Sequence, residues 1–277
     1  MAEPPQDAEP TRSGNKEPAA PRLRLVFDDL DFSIEGWSVA GVETWLVVPE
    51  WSLALDCGRV AAPSVRCRHL ALTHAHLDHA GNLAGWLGLR SMYALGHADV
   101  YAPSVVCGDL ERVVAIWARL QGITPNWTLH PAAPGDRFGL GGNRELVALA
   151  ADHSVPALGW AVTERRHHLL PSLHGLAGPM IAARKAQGET ITTSTELPLL
   201  AISGDTRASV AAVTPALQDA AVVMHEVTLL SDAHPPQRAH DGGHTHLADL
   251  VDSPVAANAR YFVPYHISQR YGAAEAR

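Results

Sequence analysis

The run Thr73-His74-Ala75-His76-Leu77-Asp78-His79 constrains this chain more than any other feature. It follows an apolar stretch, His69-Leu70-Ala71-Leu72, that reads as a buried strand, and Gly81 lets the chain turn into a helix starting near Asn82. Such a run folds back on itself and aims alternate side chains at neighbouring points. Three imidazoles and a carboxylate suit Zn²⁺, which takes nitrogen and oxygen ligands near tetrahedral geometry. Four ligand-type residues between His74 and His79 exceed what one ion uses locally, so a second metal is expected. The bland alternative is a histidine-rich surface turn with adventitious metal affinity. The apolar strand directly ahead of the motif argues against it.

The rest of the chain repeats this arrangement. Apolar runs over 45–48, 53–55, 146–150, 160–162, 199–202, 221–224 and 261–263 read as strands. Several of the runs stop at a polar residue: His74, His153, Asp205, His225 or His266. Strands that deliver such residues at their ends build a site from loops on a rigid sheet. Residues 110–120 carry apolar side chains at helical spacing, with Gly122 as the stop. No linker interrupts residues 22–277, which read as one domain. Residues 1–21, rich in Pro, Glu and Ala without an apolar core, read as a disordered tail and not as a signal peptide. No apolar run is long and pure enough to span a membrane. Cys57, Cys67 and Cys107 are odd in number and widely spaced, so they form neither a disulfide framework nor a zinc knuckle; as reduced thiols they point to the cytoplasm. The net charge of −8 argues against a generic nucleic-acid binder, while 16 histidines favour metal.

His74-x-His76-x-Asp78-His79 resembles the signature of the metallo-β-lactamase superfamily, and the later pieces follow in that superfamily's order. Asp152-His153-Ser154 and Ser203-Gly204-Asp205-Thr206 resemble its third histidine and bridging aspartate. Tyr265-His266-Ile267-Ser268-Gln269-Arg270-Tyr271, His225-Glu226-Val227-Thr228 and Gly243-His244-Thr245-His246 are similar to motifs of ribonuclease Z, the last in its plant-type short form. Residues 36–44 resemble the entry segment of that form. The Gly-Thr-Gly-Ser opening of bacterial members is missing. The stretch between His153 and Asp205 is short, with residues 173–179 as a compact counterpart of the family's RNA-binding arm, and the chain stops soon after Tyr271.

The resemblance implies an α/β fold, the αββα sandwich of two mixed β-sheets flanked by helices. It implies two zinc ions per subunit, with Mn²⁺ or Fe²⁺ as substitutes. His74, His76 and His153 would hold one, Asp78, His79 and His266 the other, and Asp205 would bridge them. It further implies a homodimer, and a phosphodiesterase that trims 3′ trailers from precursor tRNA. The nucleophile would be a hydroxide shared by the metals, Asp78 would orient it, and His244 would be the general acid. His225 and Glu226 would orient His244 or a ligand, although a satisfied core histidine is an equal reading of His225. Asp56 either fixes a ligand loop or caps a turn. His246 is expected to be structural or exposed. Arg165-Arg166-His167-His168 and Arg184-Lys185 are candidate RNA contacts or an ordinary solvated face. The alternative function is hydrolysis of a small phosphodiester or ester. A non-catalytic, metal-stabilised RNA-binding module fits less well, since a structural zinc site needs no spare acid.

Overall fold

The computed structural model describes residues 23–211, 213–231 and 233–272. The tail expected over 1–21 lies outside the described residues.

The first half of the chain builds a sheet in sequence order. Strands β1 (Leu23–Val26), β2 (Ser33–Ala40), β3 (Glu43–Val48) and β4 (Leu53–Leu55) pair antiparallel. Strands β5 (His69–Ala71), β6 (Ala98–Pro103) and β7 (Trp127–Ala132) then add in parallel. The second sheet joins β8 (Arg137–Gly141), β9 (Arg144–Ala150), β10 (Leu158–Leu169) and β11 (Thr192–Ile202) antiparallel, and then β12 (Val222–Glu226) and β13 (Tyr261–Tyr265) in parallel. A short β14 (Ile267–Ser268) returns to the first sheet, pairing in parallel with Val39 and Ala40 of β2.

The alternation of side chains along each strand sorts residues into three apolar layers. Leu46 and Val48 of β3 meet Trp160, Val162, Leu200 and Met224 of the second sheet in the core between the sheets. Trp45 and Val47 face the other way, onto helices α1 (Ala62–Val65), α2 (Leu77–Ala80), α3 (Leu83–Met92) and α4 (Cys107–Gln121), through Val65, Ala80, Trp86, Leu87 and Val114. Ala161, Ala201 and Val223 pack outward on Leu217 and Val255, from helices Pro215–Asp219 and Pro254–Asn258. The molecule is thus the expected αββα sandwich. Helix α4 stops at Gly122, whose φ of 65° ends it in the left-handed region.

The strands expected over 160–162 and 199–202 are the buried parts of much longer ones. Beyond Val162, β10 and β11 run on as a paired ribbon to Leu169 and Thr192. The ribbon's tip carries α5 (Gly178–Ala186). Its polar Thr, Glu, Arg and His side chains hid this extension from a reading based on apolar runs.

Candidate metal centre

The loops following β5, β9, β11 and β13 bring together the residues singled out in the sequence. The chain leaves β5 through Thr73 and His74 into α2, which carries Asp78 and His79. His74, His76 and His153 each offer one ligand atom within 4.8 Å of the others, as do Asp78, His79 and His266. Asp205 Oδ2 lies between the two groups, 3.7 Å from His74 Nε2 and 3.5 Å from both His79 Nε2 and His266 Nε2. His76 Nδ1 faces His74 Nε2 at 3.0 Å and His153 Nε2 at 3.3 Å.

The far side of four of the rings is tied to the protein. His79 Nδ1 donates to Asp56 Oδ2 at 2.8 Å, and His153 Nδ1 donates to the Gly243 carbonyl at 2.8 Å. His74 Nδ1 meets Thr73 Oγ1 at 3.0 Å, and His266 Nδ1 meets Thr228 Oγ1 at 3.3 Å. These contacts turn the opposite nitrogens inward, the usual way a ligating imidazole is oriented. Inside, His79 Nε2 and His266 Nε2 stand 3.1 Å apart, and buried Asp205 Oδ1 has no hydrogen-bond partner among the described residues. Convergent lone pairs around an unsatisfied carboxylate oxygen are a donor set that fits divalent cations.

Two of the site residues hold left-handed backbone without being glycine: Asp56 at φ 57° and His266 at φ 60°. Such geometry costs of order 1–3 kcal/mol and persists where the surroundings enforce it. Asp56 is enforced through Thr73, whose backbone N donates to Oδ1 at 2.7 Å and whose hydroxyl donates to Oδ2 at 2.9 Å. Its carboxylate thus ties the turn after β4 to Thr73 and His79. Asp78 Oδ2 accepts from Gly41 N at 2.7 Å, at the turn between β2 and β3.

Burial pulls His74 down to about 2, with His79 adding to the effect, so His74 stays neutral. Burial would lower His79 as well, but Asp205 and Asp56 outweigh it and lift it to about 9. Burial acts to raise Asp78 and Asp205, yet the surrounding histidines hold both below the usual carboxylate range.

On the flank of this cluster, His244 Nδ1 donates to Glu226 Oε1 at 3.1 Å. Burial disfavours its charge, but the hydrogen bond and charge of Glu226 prevail and raise its pKa. Glu226 is fully buried and saturated. Oε1 also accepts from Thr206 N and Thr245 N at 3.2 and 3.0 Å, and Oε2 accepts from Thr228 N and Oγ1 at 3.1 and 3.0 Å.

The structure corrects one expectation. His225 reaches neither His244 nor a candidate ligand. Alternate residues of β12 face opposite sides, so Met224 and Glu226 point to the core and the site while His225 points away. Its Nδ1 donates to the Glu226 carbonyl at 2.8 Å and its buried Nε2 has no partner. His246 is structural, as expected: its Nδ1 accepts from Ala248 N at 3.0 Å. The candidate RNA contacts sit on the ribbon and its tip, where Arg165 pairs with Glu196 and Glu145, Arg166 with Glu164, and Arg184 with Glu189; Lys185 follows on α5. Thr73, Thr206, Thr228, Gly41 and Arg207 were not given roles in the sequence, although four of them lie within the motifs and Arg207 directly follows one.

The profile of the beta-lactamase superfamily domain matches residues 58–267. A plant relative, the chloroplastic tRNase Z TRZ2 of Arabidopsis thaliana, is 30% identical over 249 residues, which cover 89% of this chain and 70% of that protein. The ribonuclease Z of Geobacillus kaustophilus is 27% identical, covering 82% of this chain and 79% of its own length. The crystal structure of human short-form tRNase Z superposes with a TM-score of 0.58 at 18% identity, covering 85% of this chain and 92% of that one. The metallo-β-lactamase fold protein YhfI of Bacillus subtilis gives 0.59 at 12% identity over 86% of each. These two solved structures share the fold. Among the described residues no helix is long and apolar enough to cross a membrane.

Proposed function

From the chain's membership of the metallo-β-lactamase superfamily, and within it of the tRNase Z family, we propose that it is a metal-dependent endonuclease removing 3′ trailers from precursor tRNA. One observation carries the reading: an imidazole held against a buried carboxylate stands beside a cluster of five histidines and two aspartates. His74, His76 and His153 would hold one ion and Asp78, His79 and His266 a second, with Asp205 beside both groups. Zn²⁺ suits this set, with Mn²⁺ or Fe²⁺ as substitutes. When bound, the ions supply Lewis acidity to the phosphodiester and make water acidic enough to attack near neutral pH.

The chain's own groups do the rest. Gly41 N and the facing imidazoles fix Asp78, which orients the attacking water. Glu226 keeps His244 protonated, and the proton on Nε2 passes to the departing 3′-oxygen. Such a positioned acid contributes about 10²–10⁴-fold. The residues from 22 onward form the catalytic domain. The buried free thiols of Cys57, Cys67 and Cys107 support a cytoplasmic location.

A homodimer belongs to the same proposal, and α4 supplies its support. Val113, Ile116, Trp117 and Leu120 lie at helical spacing on one stripe, each half or more exposed.

The test is cleavage of a 3′-extended precursor tRNA by zinc-loaded protein, with His244→Ala and Asp78→Ala as controls. Cleavage at the mature end, lost in both variants, supports the reading. Hydrolysis of a small diester with no RNA cleavage favours the alternative substrate.

A further inference from the structure

His244 sits on a turn, not on a strand or long helix, so something must hold that turn to the ligand loops. Its anchors converge on Arg207. The guanidinium donates from Nε to the His240 carbonyl at 2.7 Å and from Nη1 to Asp152 Oδ1 at 2.7 Å. The Arg207 backbone N also donates to the Asp152 carbonyl at 3.0 Å. One side chain thus spans two loops. The first carries His153, the residue after Asp152. The second leaves helix Pro236–Asp241 one residue after His240 and reaches His244 through Gly242 and Gly243. The His240 carbonyl also accepts from Gly243 N at 3.0 Å, and His244 N donates to the Ala239 carbonyl at 2.9 Å. A cation on the last carbonyls of a helix is favourable, and here it fixes the point from which the acid's turn departs.

Arg207 is itself held. It follows Asp205 and Thr206, and Thr206 Oγ1 accepts from Asp152 N at 2.8 Å while its carbonyl accepts from Thr245 Oγ1 at 2.8 Å. Thr206 and Thr245 already lock the second loop near Glu226. The His240 end of that loop is tied by Arg207.

We propose that Arg207 is a positioning residue for His244, setting the acid against the departing oxygen without touching the reacting atoms. The inference rests on the reading of His244 as the general acid. It separates two kinds of substrate. An alkoxide leaving from RNA needs a proton, whereas 4-nitrophenolate leaves without one. A misplaced acid therefore damages cleavage of RNA and spares an aryl diester.

The experiment compares kcat for precursor-tRNA cleavage with kcat for bis(4-nitrophenyl) phosphate in metal-loaded wild type, Arg207→Met, His244→Ala and the double variant. We expect the ratio of the two activities to fall about 10²-fold in Arg207→Met, the size of effect a misplacement near 1 Å produces. In the His244→Ala background Arg207→Met should add nothing further, because both changes remove one function. A raised KM for RNA at unchanged kcat would make Arg207 a substrate contact and overturn the inference, as would an equal loss on both substrates. An unchanged ratio in Arg207→Met alone sinks the inference and leaves the acid reading intact. An unchanged ratio in His244→Ala removes both. Should Arg207→Met fail to fold, Arg207→Lys keeps the charge but spans only one acceptor, and the same fall in ratio is required of it.

Discussion

Asp56 and His79 are joined by a 2.8 Å hydrogen bond across 23 residues of sequence, carboxylate to imidazole Nδ1, with both side chains buried. The pair orients the ring and makes its inner nitrogen a stronger donor to a cation. Asp56→Asn keeps the backbone, since Asn tolerates the left-handed φ of 57°, but removes the charge. Metal affinity should fall about 10–100-fold, the usual cost of losing such a partner. Competition with a chromophoric chelator measures it. Unchanged affinity would assign Asp56 to loop structure alone.

Gly243 has φ 79°, and a Cβ there would stand 2.8 Å from Ser154 N and 2.9 Å from His153 Nδ1. Gly243→Ala must therefore displace a ligand loop as well as strain the backbone, which by itself costs about 1–3 kcal/mol. Expected are a lowered Tm and loss of hydrolysis on both RNA and aryl diester. Normal aryl activity would show that the loop yields without moving His153.

His69, at the start of β5, is buried beside Tyr101 and Asp99, with Nδ1 3.0 Å from the Tyr101 hydroxyl. Burial lowers its pKa below 6.5, with Asp99 opposing, so the folded protein holds it neutral. The unfolded chain binds a proton there below about 6.5, and stability drains away as pH falls from that value. His69→Gln should flatten the fall in Tm between about pH 6.5 and 5 relative to wild type, with metal kept saturating. Parallel curves for the two proteins would acquit His69.

Trp117→Glu places a charge in the apolar stripe of α4. Sedimentation equilibrium should show dimers for the wild type and monomers for the variant, with α4 still folded by circular dichroism. A variant that stays dimeric moves the interface elsewhere.

The motif around His74 disclosed His74, His76, Asp78 and His79 of the clustered residues because they are packed into a short stretch after an apolar strand. The buried strands and α4 were legible for the same reason: periodicity is local. The supports were not. Thr73, Thr228 and Arg207 act through hydrogen bonds to residues 17, 38 and 33 or more positions away, and no spacing rule encodes such pairs. The ribbon beyond Val162 was hidden because both of its faces are polar. His225 was misplaced because its neighbour Glu226 points into the site, and a one-residue shift along a strand exchanges the faces.

β14 follows His266 immediately and pairs with Val39 and Ala40, so the last candidate ligand is held by a strand that stitches the second half of the fold to the first. The rings of His79 and His266 touch across 187 positions of sequence. His74, His76 and His153 come together once β9 has docked, whereas the group of Asp78, His79 and His266 needs β13 and β14 in place as well. Closure of the whole cluster therefore waits on a contact between distant parts of the chain, the kind of contact that forms slowly because loop-closure entropy must be met first.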